Sequence, residues 1–166
     1  RHQWLRAAEG FGSAAVPHAW LAPAGARFMA KRLTDTLSSA DASHADIYRA
    51  QFETFDGVLR VLEETYGEKF AAAPRKTIVT GHAAFGALCA QFGLEQKSVE
   101  DVFAHGEPTV KKLAELARWC KENGVHTVFS ESMVSPAVSE TLAREAGAKV
   151  VPIYTMESSE DGLPFL

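Results

Sequence analysis

From Pro74 to Tyr154, short β-branched runs alternate with amphipathic stretches of about 10–15 residues. That alternation implies βαβ units. Such units fold into a parallel sheet flanked by helices, because each crossover must pack back onto the sheet. Thr77-Ile78-Val79-Thr80 reads as a first buried strand, and Ala83 to Phe92 as a helix stopped by Gly93. Ser98 to Phe103 reads as a second short strand or an irregular link. A helix opened by Pro108 runs towards Gly124, Val125 to Phe129 is a strand, and Ser135-Pro136 opens a helix that ends at Gly147. Ala148 to Tyr154 is the last strand.

The chain before this region has a different pattern. Val16-Pro17-His18-Ala19-Trp20-Leu21-Ala22-Pro23 carries two prolines six residues apart, which favour a fixed loop over a helix. Phe28, Met29, Leu33 and Leu37 then recur at helical spacing. Residues 38 to 43 break that pattern, and Asp41 is a candidate N-cap. A long amphipathic segment follows from Ala42 to Phe70, with Ile47, Gln51, Phe55, Leu59 (or Val58), Leu62 and Tyr66 as its expected stripe. At 1.5 Å per residue it makes a helix of about 40 Å, long enough for a strut between two lobes.

Composition excludes several classes. The chain is 46% hydrophobic and 23% charged, with a net charge of −4. No Lys/Arg run is present, which argues against nucleic acid as a partner. No apolar run approaches the roughly 20 residues of a membrane span. Cys89 and Cys120 form no CxxC pair and sit among apolar neighbours, so they read as buried free thiols, with a disulfide between them as the alternative. GxSxG, HExxH and Gly-rich phosphate loops are missing, which leaves a metal-dependent hydrolase as a weaker alternative.

Ligands of parallel sheets bind beyond the carboxyl ends of the strands. His82 follows the first strand by two residues, Glu131 follows Phe129 by two, and Glu157 follows Tyr154 by three. One imidazole and two carboxylates therefore belong to one sheet edge, and His18 lies on the proline-bounded loop. These donors suit zinc or manganese. Each also has a plainer reading, as a hydrogen-bonded loop residue, a solvated carboxylate or, for Glu131, a helix cap. His2, His44, His105 and His126 read as surface residues.

Several motifs in one order resemble a known family. The segment Val16 to Pro23 is similar to the Asp-Pro-His-x-Trp-x-x-Pro loop of the zinc/manganese-binding extracytoplasmic solute-binding proteins of metal ABC transporters. Thr80-Gly81-His82-Ala83-Ala84-Phe85 resembles their Thr-x-His-x-Ala-Phe, and Glu107-Pro108-Thr109 their helix-opening Glu-Pro-Ser/Thr. Phe129-Ser130-Glu131 resembles their Phe-x-Glu. Residues 16 to 166 take part in the resemblance.

The resemblance implies metal ligation by His18 and His82. Glu157 stands in for the Asp that usually follows the last strand, and Glu131 is an auxiliary residue close to the metal. Val16 and Ala22 depart from the usual acidic or polar positions. Imidazole favours Zn2+ over Mn2+, the alternative.

It implies an α/β C-terminal lobe with a short parallel sheet flanked by helices (73–166), truncated at its last helix. A long linker helix (42–72) and the end of an N-terminal lobe (1–41) precede it; the rest of that lobe, with the first ligand, is absent. The implied role is capture, not catalysis. A monomer outside the cytoplasm, periplasmic or lipid-anchored at the cell surface, closes on its metal and delivers it to the ABC permease in the membrane. A non-metal adhesin role on the same scaffold is the remaining alternative.

Overall fold

The computed structural model describes residues 17–100, 109–131 and 135–157. The described residues divide into two compact units. One holds the residues up to Arg75 together with Ala87–Gly93, and the other holds Lys76–Gly86 and the chain from Leu94 onward.

The first unit is a helical hairpin. A 3-10 turn, Ala19–Leu21, leads into α1, Pro23–Ala40, whose proline occupies the first helical position. A second 3-10 turn, Ala42–His44, leads into α2, Ala45–Ala72. Asp41 does not cap α2 as the sequence suggests; His44 stands at that position. The Asp41 carboxylate instead accepts hydrogen bonds from Ser43 and Tyr48 and contacts His44 Nδ1 at 2.8 Å, which knits the turn together.

The inward face of α2 also differs from the expected stripe. Ile47 is 58% exposed and Tyr66 44%, while Ala45, Asp56 and Leu59 are buried. Phe55, Leu59 and Leu62 keep the expected inward side, and charge pairing lets Asp56 join them. Arg27 on α1 donates to Asp56 at 2.7 Å and to Glu63 at 2.8 Å, and Arg60 donates to the other oxygen of Asp56 at 2.6 Å. A buried carboxylate held by two guanidiniums is tolerated because both its oxygens are paired.

Helix α3, Gly86–Phe92, belongs to this unit from Ala87 on. Gln91 Oε1 accepts from the Ala24 N–H, one of the first-turn donors of α1 that no helical carbonyl can reach. Phe92 packs on Phe70, with ring centroids 5.1 Å apart.

The second unit is a four-stranded parallel sheet with strand order β2-β1-β3-β4. The strands are β1 Thr77–Thr80, β2 Glu95–Ser98, β3 Thr127–Glu131 and β4 Lys149–Ile153. Strand β2 precedes the expected segment; Ser98 is its last residue, and residues 101–108 lie outside the described part. Helices α4, Val110–Glu122, and α5, Pro136–Ala146, connect the later strands. Thr109 caps α4 by accepting from Lys112 N–H, and Gly147 ends α5 at φ 72°, a left-handed conformation that glycine adopts without a Cβ clash.

Val79 and Val128 meet Ala117, Cys120, Leu142, Ala143 and Ala146 in one core between the sheet and α4–α5. Because side chains alternate along strands, Thr80, its partner Phe129 and Glu131 belong to the opposite face. Cys89 and Cys120 are buried free thiols, as the sequence implies. No described helix is long and apolar enough to cross a membrane.

Candidate metal centre

The strand order fixes where a ligand belongs. From β1 the chain crosses to β2 on one side, and β3 lies on the other. The connections diverge at the β1/β3 boundary, the position where open α/β sheets bind ligands. His82 follows β1 by two residues and Glu131 ends β3. Both are buried, His82 at 7% exposure and Glu131 at 1%.

Glu131 Oε1 lies 3.5 Å from His82 Nδ1 and accepts a long hydrogen bond, 3.4 Å, from the His82 backbone N–H. Its other oxygen, Oε2, is buried and has no hydrogen-bond partner among the described residues. Burial pushes the Glu131 carboxyl above the usual carboxylate range. Backbone N–H groups, those of His82 and Gly81 among them, pull it back, and the charge of Glu100 adds to the rise. An uncommitted acceptor in a dry site is costly unless a cation or a donor completes it. An imidazole beside a carboxylate is a donor set for a transition dication. The residues fit a metal on that ground.

The backbone of His82 is held by groups that sequence reasoning missed. Its carbonyl accepts from Thr80 Oγ1 at 2.5 Å and from Gln96 Nε2 at 3.0 Å. Gln96 Nε2 also donates to Thr80 Oγ1 at 2.7 Å. Only the Thr-x-His spacing hints at Thr80. Nothing local points to Gln96, which depends on the pairing of β2 with β1.

Glu157 lies four residues beyond β4, is exposed, and accepts a hydrogen bond from Thr155 Oγ1 at 2.9 Å. Met156 between them has φ 56°, a left-handed backbone that sharpens the turn carrying Glu157. His18 belongs to the first unit, half-buried before the Ala19–Leu21 turn, with φ 61° and its ring 5.3 Å from that of Trp20. Left-handed φ at a non-glycine residue is uncommon and concentrates at functional loops. Gly25 lets this turn approach α1: a Cβ there would fall 2.0 Å from the Ala19 carbonyl oxygen. Among the described residues the structure brings His82 and Glu131 together, and no group of three or more His, Cys, Asp or Glu side chains forms.

Comparison with known proteins identifies the family to which this fold belongs. A Treponema pallidum (strain Nichols) protein with a provisional metal-binding designation is 42% identical over 154 residues, 93% of this chain and 49% of that protein. The zinc-binding protein AdcA of Streptococcus pyogenes serotype M3 is 34% identical over 149 residues, 90% of this chain and 29% of AdcA. The chain thus spans about half the length of the first relative and less than a third of the second.

Among solved structures, the laminin-binding protein Lbp of Streptococcus pyogenes superposes with a TM-score of 0.87 at 31% identity, covering 95% of this chain and 63% of that one. A Zn(II)-bound variant of AdcAII from Streptococcus pneumoniae gives 0.79 at 32% identity, covering 87% and 52%. The family model described as zinc-uptake complex component A, periplasmic, matches residues 7–163. With nearly the whole chain matched and the β1/β3 switch point carrying the imidazole–carboxylate pair, this chain belongs to the zinc-uptake complex component A family.

Proposed function

We propose that this chain is part of an extracytoplasmic solute-binding protein that captures a divalent transition metal, zinc in preference to manganese, and hands it to an ABC permease. The observation that carries the reading is Glu131: a carboxylate at 1% exposure, with one oxygen unpartnered among the described residues, beside His82 at the sheet's switch point. Family membership supplies the transport context.

In this reading His18, His82 and Glu157 are ligands and Glu131 is auxiliary. Imidazole donors favour zinc, whereas manganese prefers carboxylate-rich sites. Helix α2 acts as the linker between lobes, and the protein works as a monomer in the periplasm or as a lipoprotein. Binding, not turnover, is the activity.

Calorimetric titration of Zn(II) and Mn(II) into the full-length protein tests the reading. The expected result is tighter zinc than manganese, with His18→Ala and His82→Ala each weakening zinc by at least about tenfold. Unchanged zinc affinity in both variants contradicts it.

A further inference from the structure

We infer that Gln96, acting with Thr80, is a positioning residue that aims the His82 imidazole at the metal. The inference rests on the reading of His82 as a ligand. His82 lies two residues past the end of β1, where backbone N–H groups of Val99 and Glu100 hold the Gly81 carbonyl that precedes it but not its own carbonyl. A closed ring of hydrogen bonds holds that carbonyl.

Gln96 Nε2 donates to Thr80 Oγ1 at 2.7 Å and to the His82 carbonyl at 3.0 Å. Thr80 Oγ1 in turn donates a hydrogen bond to the same carbonyl at 2.5 Å. The donor directions are forced. A carbonyl only accepts, so the threonine hydroxyl must donate to it and accept from the carboxamide. On the other side of the residue, the His82 N–H points at Glu131 Oε1. Both peptide groups of His82 are thus tethered, which limits where its Cβ, and hence its ring, can point.

The placement of Gln96 argues against a packing role. Its ladder partner on β1 is Ile78, and an apolar residue would pack beside that side chain without losing hydration. The half-buried carboxamide is useful there because both its N–H groups have acceptors.

The test uses the full-length protein and four variants, with zinc affinity and the visible d–d spectrum of the Co(II)-loaded form as readouts. Gln96→Met keeps the length of the side chain and withdraws the donor. Lys97→Met, on the same strand, removes a cation–ring contact with Trp119, 4.6 Å from the centroid, and leaves the His82 ring of bonds intact. His82→Ala reports on the ligand itself.

Gln96→Met is expected to bind zinc about tenfold more weakly and to shift the Co(II) bands, as loss of a group orienting a ligand does. Lys97→Met should do neither. Thr80→Val removes the other donor at similar volume and carries the test by itself if Gln96→Met does not fold. If Gln96→Met matches Lys97→Met in affinity and spectrum while His82→Ala loses zinc, the positioning role is overturned and the ligand reading survives. If His82→Ala leaves affinity unchanged, the ligand reading falls and the inference with it.

Discussion

Gly25 shows how one missing methyl group shapes the loop that carries His18. The space its Cβ would need is occupied by the backbone oxygen of Ala19, which cannot rotate away as a side chain would. Gly25→Ala must therefore push the Ala19–Leu21 turn off α1. A destabilisation of about 1–3 kcal/mol, typical of overpacking, is expected in chemical denaturation, with weaker zinc binding because the His18 loop moves with the turn. Gly147 differs in kind: its φ of 72° is the constraint, with open space around the absent Cβ. Cys89 gives a third residue-scale expectation. Burial pushes its thiol up to about 11, so the native protein should resist alkylation at pH 8 and react only after unfolding.

At the scale of elements, the hairpin of α1 and α2 depends on Asp56. Hydrogen bonds from Arg27 and then Arg60 hold its carboxyl below the ordinary value of 3.8, against the opposing effect of burial. A depressed pKa stabilises the fold fully above the unfolded value, and that contribution disappears as pH falls through the folded value. Asp56→Asn should therefore lower the melting temperature at pH 7 and narrow the gap from the parent below pH 4. A gap that stays constant down to pH 2 would contradict the assignment.

The same network explains what the sequence hides in α2. A hydropathy stripe puts Ile47 and Tyr66 inward, but a paired carboxylate can take an inward position, and no periodicity reveals its partners. Strand β2 is obscure for a related reason. Glu95-Gln96-Lys97-Ser98 is polar and lies at the edge of the sheet, so it forms a strand only by pairing with β1. Strands β1 and β3 are legible because central strands must be apolar and β-branched whatever surrounds them. Leu142, fully buried between α5 and the sheet, belongs to that legible core. Its replacement by Ala should cost about 2–5 kcal/mol.

For the molecule as a whole, the parallel sheet and its switch point follow from strand–helix alternation. The candidate ligand His82 follows from its position after β1. The groups that hold His82 in place depend on contacts across 14 and 49 residues of sequence, which local patterns do not carry. The proposed metal capture would draw on both scales, with one imidazole, His18, carried by the helical unit and another, His82, by the sheet unit. The most direct test is anomalous diffraction at the zinc edge from crystals of the zinc-loaded full-length protein. The account predicts a single strong peak about 2.0–2.1 Å from a ring nitrogen of His82 and of His18, with the Glu131 carboxylate beside it. A zinc peak bound without the His82 ring would contradict it.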